Sequence, residues 1–178
     1  MSQGHINFTA NSHSALRVSS QVESELATEP RRTSKTGHPR RVRIGTARAA
    51  ANWLRPHLRM DREEFWAMAL TTAQELIHAE MLFRGTVDCC LAHPRDVFRF
   101  AVRMNASRLL LLHNHPSGDP RPSSLDWAFT EKITRCSWMM EIPVIDHVIV
   151  TERSYKSLAA LRPQLFREPP RIQEVPHR

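Results

Sequence analysis

Long apolar runs are missing from this chain. No stretch of its 178 residues approaches the roughly 20 consecutive apolar residues needed to cross a bilayer. The amino-terminal segment, broken by His5, Asn7, Asn11 and Ser12, lacks the continuous apolar core of a secretion signal. Cysteine is scarce: Cys89, Cys90 and Cys136 are three in all, with two adjacent, which argues against a disulfide framework. No C-x-x-C pair occurs, so a cysteine-ligated zinc is not expected. The turn G-x-S-x-G that presents a serine nucleophile is absent. So is the P-C-x-x-C pair that a zinc nucleobase deaminase requires. The chain is also short of the about 250 residues typical of a (β/α)8 barrel. These absences leave a small protein of the reducing cytoplasm as the expectation, with one core plus tails.

Charge is present but unevenly spread. The net charge is +7 and the sequence pI is near 10.3. Residues 1–43 hold seven Arg and Lys against three Glu, so this segment carries +4 and the rest of the chain only +3. The segment is rich in Ser, Thr, Arg and His, poor in aromatics and without sustained periodicity, the composition of a disordered tail. Its clusters Arg31, Arg32, Lys35 and then Arg40, Arg41, Arg43 suit nonspecific contact with DNA. They suit a solvated tail on a soluble enzyme equally well.

The chemistry concentrates in fourteen residues, His113 to Asp126. Upstream, the apolar run Leu109 to Leu112 predicts a buried central strand. Side chains two apart on a strand share a face, so His113 and His115 point one way and Asn114 the other. Pro116, Pro120 and Pro122 stiffen the following loop, and Gly118 offers a position free to take positive φ. Ser123 opens Ser-x-x-Asp ahead of a helical pattern, an N-cap signature with Asp126 in the first turn. That side chain leans toward the helix start, back at the histidines. Two imidazoles and a carboxylate are a donor set that zinc accepts. A plain capping box beside polar strand-end histidines is the bland alternative.

The pattern His-x-His-Pro-x5-Pro-Ser-x-x-Asp over these residues resembles the JAMM (MPN-plus) metalloprotease motif, and His-Asn-His-Pro-Ser-Gly-Asp-Pro is similar to its RadC branch. The likeness extends through Arg62 to Phe65, Leu82 to Asp88, His93 to Asp96 and Asp146 to Val150. It implies an α/β (α+β) domain over residues 44–166, a single mixed β-sheet flanked by helices in a JAMM/MPN-like, cytidine-deaminase-like sandwich. A tail over 167–178 follows. It further implies one zinc ion per chain on His113, His115 and Asp126, and hydrolysis of a peptide or isopeptide bond in a peptide or protein substrate. Longer RadC-like proteins carry a helix-hairpin-helix domain and a DNA-repair label. This chain has neither the length nor the pattern for that domain. A DNA-binding role inherited from that domain is therefore not expected; a DNA-associated binding module acting through the basic tail, with a structural metal, is the alternative function.

Peptide hydrolysis needs a base to take the proton of water and return it to the leaving amine. Glu63, Glu64 and Glu80 are candidates, and spacing alone does not choose among them. The resemblance matches Glu-x-Phe at Glu63 to Phe65 and so favours Glu63. It also gives Ser123 a role as hydrogen-bond donor to the tetrahedral oxyanion, in competition with capping. Asp119 is a rival ligand off the motif. His93 and His147 are second-sphere candidates or satisfied, partly buried histidines, and His57 and His78 are surface residues.

Around this motif the pattern predicts a helix capped by Thr46 and limited by Pro56, then a strand from Glu63 to Leu70. A turn over Thr71 to Gln74 follows, where many relatives favour Asp or Asn, and a strand from Glu75 to Phe83. A third strand is expected at Val87 to Ala92, and a helix after His93 with Val97, Ala101 and Met104 inward, stopping at Asn105. Leu125, Phe129, Ile133, Cys136 and Met140 make a core stripe on the helix after the motif. Val144 to Val150 read as the last strand, Tyr155 to Leu161 as a short helix.

Overall fold

A computed structural model describes residues 41–85 and 93–168 of the chain. The expected tail over 1–43, apart from its last three residues, lies outside the described residues. So do the expected strand Val87–Ala92 and most of the tail over 167–178.

The first helix, α1 (Ala47–Leu54), starts where Thr46 takes an extended backbone and its hydroxyl accepts the Ala49 N–H at 3.1 Å. Pro56, with no N–H to continue the ladder, turns the chain into a single 3-10 turn at Arg55–His57. Strands β1 (Glu64–Leu70) and β2 (Leu76–Arg84) form an antiparallel hairpin, each starting one residue later than expected. The turn closes without Asp or Asn. Thr71 substitutes its hydroxyl, which accepts the Glu75 N–H at 3.1 Å, while Gln74 takes φ of 60°. Helix α2 (Pro94–Arg103) ends as expected, with Asn105 in the left-handed region at φ 49°.

Strand β3 (Arg108–Asn114) runs antiparallel to β1 and parallel to β4 (Val144–Val150), with α3 (Ser124–Met139) as the crossover between them. Helix connections of this kind are how parallel neighbours are joined. The expected helix Tyr155–Leu161 divides instead. Tyr155–Ser157 is a short strand, β5, antiparallel to β4, and only Leu158–Leu161, α4, is helical. The cause is Asp146, whose carboxylate accepts the Ser157 hydroxyl at 2.7 Å and the Ala159 N–H at 3.0 Å, so that the helix begins at Ser157. The five strands make one mixed sheet in the order β2-β1-β3-β4-β5.

Phe65, Ala67, Ala69, Leu109 and Leu111 on one sheet face meet Val97, Phe100 and Ala101 of α2 and Ile133 of α3 in the core. Helix α1 buries Ala50, Ala51 and Leu54 and packs on β4 and β5. The stripe on α3 is only partly right. Ile133 is buried and Phe129 and Cys136 pack on the core, but Leu125 is 75% exposed and Met140 46%. The buried face runs instead through Thr130, Ile133, Thr134 and Ser137. Each of those hydroxyls donates to a carbonyl of its own helix, at 2.6, 2.9 and 2.7 Å for Thr130, Thr134 and Ser137 respectively. Their polar atoms are thereby satisfied, and they bury as cheaply as small apolar residues.

On the opposite sheet face, Asn114 is fully buried and ties the strand end to the segment before β1. Its Oδ1 accepts the Glu64 N–H at 2.7 Å, and its Nδ2 donates to the carbonyls of Arg59 and Arg62 at 3.1 and 2.8 Å. Glu64 is held on the same face: its carboxylate pairs with Arg84 at 3.0 Å and accepts from the Trp66 indole at 3.3 Å. Replacing Asn114 strands a buried N–H and two carbonyls. Asn114→Ala is expected to lower the unfolding free energy by about 1–3 kcal/mol, read from urea denaturation. A loss below about 0.5 kcal/mol, no more than an ordinary surface change gives, would mean that the clamp contributes nothing.

Candidate metal centre

The alternation of β3 sends His113 to the face opposite Asn114, and His115 follows it two residues later, with its N–H still bonded to the Val150 carbonyl at 3.1 Å. Each imidazole has its Nδ1 occupied. That of His113 lies 2.9 Å from His147 Nε2, and that of His115 lies 2.8 Å from the Asp119 carbonyl oxygen. Both rings therefore turn Nε2 into the same space, where these atoms stand 2.9 Å apart.

Asp126 enters that space from the first turn of α3. Ser123 is the N-cap, and the capping box is complete: the Asp126 N–H donates to Ser123 Oγ at 3.2 Å, and the Ser123 N–H donates to Asp126 Oδ2 at 2.7 Å. The Ser123 hydroxyl also donates to Oδ2 at 2.6 Å. The other oxygen, Oδ1, is left facing His113 Nε2 at 3.0 Å, while Oδ2 lies 3.6 Å from His115 Nε2. Gly118, at φ 81°, supplies the bend that folds the intervening loop back.

The electrostatics follow from this crowding. Burial pushes the Asp126 carboxyl up, but hydrogen bonds from His113 and His115, the charge of His113 and the Ser123 hydroxyl outweigh it and hold the group well below the usual carboxylate range. Burial pushes His115 down, yet the Asp126 carboxylate, the Asp119 carbonyl and the charge of Glu63 raise it overall. Burial, then the charge of His113, drives His147 far below the ordinary histidine range, so its ring is neutral.

The donor set fits a divalent ion. His113, His115 and Asp126 each offer an atom within 4.8 Å of the others. With metal–nitrogen and metal–oxygen bonds near 2.0–2.1 Å, the corners of a tetrahedron stand about 3.3 Å apart. His113 Nε2 stands 2.9 Å from His115 Nε2 and 3.0 Å from Asp126 Oδ1, both near that edge, while His115 Nε2 lies nearest the other carboxylate oxygen, Oδ2, at 3.6 Å. Three protein donors with an open fourth position is the arrangement of catalytic rather than structural zinc.

The sheet register separates the three glutamates. Phe65 pairs with His113 across β1 and β3; Glu63 comes two residues earlier, just ahead of β1, where the period-two alternation would carry it to the same face. Glu63 is part-buried, and its charge is felt by His115. Glu64 faces the Asn114 side and is committed to Arg84. Glu80 lies on β2 opposite Ala67, in an ion pair with Arg103. The Asp119 carboxylate is taken by Arg121 at 2.6 Å, so Asp119 supports the site through its carbonyl alone. His93 is exposed at the start of α2. His147, by contrast, is buried directly behind His113, both a satisfied core histidine and a second-sphere group. Sequence reading passed over Asn114, which holds the chain ahead of Glu63, and Thr130, which lies one helical turn after Asp126 with its Oγ1 2.7 Å from His147 Nδ1. The i, i+4 spacing of Asp126 and Thr130 was the available signal.

Comparison with known proteins agrees with this geometry. Residues 44–163 match the RadC-like JAB domain family. A UPF0758 protein of Desulforudis audaxviator is 37% identical over 116 residues, covering 65% of this chain and 50% of the relative. One from Bacillus cereus is 34% identical over 129 residues, 72% of this chain and 57% of the relative. A third, from Thermosynechococcus vestitus, is 44% identical over 101 residues, 57% of this chain and 40% of the relative. The chain spans about half the length of the curated relatives it matches.

A ligand that binds only the folded state raises stability in proportion to its occupancy, by about 2.7 kcal/mol at a hundredfold excess over Kd. Adding a divalent ion to chelator-treated protein is therefore expected to raise the thermal midpoint by several degrees. His113→Ala and Asp126→Ala should abolish that rise. A shift that survives both substitutions would place the ion elsewhere.

Proposed function

The chain belongs to the RadC family of the JAB/MPN superfamily, and on that premise we propose that it is a zinc-dependent metallopeptidase or isopeptidase. In this reading His113, His115 and Asp126 hold one zinc ion, Glu63 is the general base, and the substrate is a peptide or protein. The observation that carries the reading is the convergence of one donor atom each from His113, His115 and Asp126 within 4.8 Å of one another, with the charge of Glu63 acting on His115.

Zinc, when bound, supplies a Lewis acid that polarises a carbonyl and lowers the pKa of water from about 15.7 to near 7. The remaining work falls to the chain. The Glu63 carboxylate, whose charge acts on His115, accepts a proton from water as it attacks and returns it to the departing amine. Neither Glu64 nor Glu80 competes, since each is neutralised by its own arginine, Arg84 and Arg103. His113 and His115 turn Nε2 inward because Nδ1 of each is held elsewhere.

Ser123 is the proposed oxyanion donor, and its capping role does not forbid this. Its hydroxyl proton is directed at Asp126 Oδ2, but the Ser123 N–H satisfies the same oxygen at 2.7 Å. The hydroxyl can therefore swing to a developing oxyanion without leaving Asp126 bare. Losing such a donor costs on the order of 10²–10³ in turnover.

The test compares cell extract treated with zinc-loaded protein and with its Glu63→Gln variant, counting newly formed amino termini by mass spectrometry. Wild-type protein should generate new termini; Glu63→Gln should bind one zinc and generate none. Ser123→Ala should keep the zinc and act at a small fraction of the wild-type rate. Equal cleavage by Glu63→Gln would remove Glu63 as the base, and no cleavage by zinc-loaded wild type would overturn the hydrolase reading.

A further inference from the structure

Behind the metal-facing side of His113 runs a chain of hydrogen bonds whose direction can be deduced atom by atom. It starts at the Asp126 backbone carbonyl, which can only accept. Thr130 Oγ1 lies 2.6 Å from that oxygen and so spends its single proton on it. The same Oγ1 is 2.7 Å from His147 Nδ1. With no proton left, the hydroxyl must accept there, so His147 carries its proton on Nδ1. His147 is 1% exposed, and both its ring nitrogens are taken, by Thr130 and by His113. The nearby Asp146 carboxylate is bonded to the His147 backbone N–H, Ser157 and Ala159 instead. A charged ring with no carboxylate on it would be costly at this depth, so the ring is neutral and its Nε2 is a bare acceptor. At 2.9 Å from that acceptor, His113 Nδ1 must hold a proton. Nε2 of His113 is then the nitrogen left to bind a cation in place of any proton it shares with Asp126, and it is the one that faces Asp126 and His115.

We propose that Thr130 and His147 are positioning residues, a one-way relay from the Asp126 carbonyl that locks His113 in the tautomer able to bind a cation through Nε2. The relay closes on itself, because its first acceptor and the third donor to the ion belong to the same residue. Asp126 thus contributes its carboxylate to one end of the site and its carbonyl to the orientation of the other. The consequence for a metal rests on the function proposed above. The relay itself does not.

Two measurements decide it. In the first, full-length protein with 15N-labelled histidine is stripped of metal with a chelator, and long-range proton–nitrogen correlations report the tautomer of each ring. His147, assigned by the loss of its signals in His147→Gln, is expected to be protonated on Nδ1 and bare on Nε2. A proton on Nε2, alone or with one on Nδ1, overturns the relay whether or not the protein binds zinc. In the second, zinc affinity is measured by competition with a chromophoric chelator. Outer-shell partners of this kind are worth about 10–100-fold in metal affinity. Thr130→Val, which keeps the shape and removes the hydroxyl, should weaken zinc by a factor in that range, whereas Thr130→Ser should stay close to wild type. Packing alone predicts the reverse order, with Val tolerated and Ser not, and that order would overturn the proposal. Wild-type protein that binds no zinc would defeat the metal reading and leave the tautomer measurement to judge the relay.

Discussion

One pairing organises this domain: Phe65 opposite His113 in the antiparallel ladder of β1 and β3. Because side chains alternate with a period of two, that register assigns every neighbouring residue to a face. Phe65 and His113 fall on one side, Asn114 and Glu64 on the other, and the same alternation would carry Glu63 and His115, just past the ladder, to the side of His113. A slip of one residue would bury His115 where Asn114 now sits and send Glu63 away from the site. The register is protected by what lies on the back face. Asn114 accepts the Glu64 N–H and holds two carbonyls of the preceding segment, while Glu64 is pinned by Arg84. The polar residue between the histidines thus has a purpose of its own. It aligns the two strands that carry the chemistry.

The front face carries a tension that the back face does not. Two imidazole nitrogens stand 2.9 Å apart, with one carboxylate oxygen of Asp126 3.0 Å from the first and the other 3.6 Å from the second. Lone pairs at that separation repel, most strongly where water is thin. Something positive must lie between them, either a proton or a metal ion. The raised His115 and the depressed Asp126 are two expressions of the same demand. Such an arrangement persists only because its surroundings over-determine it: a strand fixes the histidines, a capping box fixes the carboxylate, and a left-handed Gly118 closes the loop between them.

How much of this was legible in the sequence depends on the range of the interaction. Local rules worked. The Thr46 and Ser123 caps, the Asn105 stop and the strand at Leu109 to Leu112 are each set by a few adjacent residues, and each was read from them. The motif spacing was enough to bring His113, His115 and Asp126 to one place. Features set by tertiary partners were not legible. Leu125 and Met140 read as core because hydropathy cannot register that Thr130, Thr134 and Ser137 hide their hydroxyls in the helix's own carbonyls. Tyr155 to Leu161 read as one helix because Asp146, nine residues upstream of Tyr155, decides where the helix begins. The commitment of Glu64 to Arg84 and of Glu80 to Arg103 likewise joins residues far apart in the chain and was not legible in any single segment.

The identity of the group behind His113 carries a further consequence for the electronics of the site. Metal-binding histidines commonly donate to a carboxylate, which makes the ring more basic. Here the acceptor is the neutral ring of His147, and His115 donates to a neutral carbonyl. Neither imidazole is pushed toward imidazolate, so the only full negative charge among the three donors is that of Asp126. That charge is itself moderated by the Ser123 N–H and hydroxyl and by its place at the positive end of α3. A divalent ion, were it held by His113, His115 and Asp126, would keep a net positive charge, the condition under which such an ion acidifies water and polarises a carbonyl most strongly. Tight binding and strong electrophilicity make opposite demands on the ligands. Under the proposed function, a neutral second sphere would favour electrophilicity and leave tightness to the rigidity of the strand, the loop and the cap.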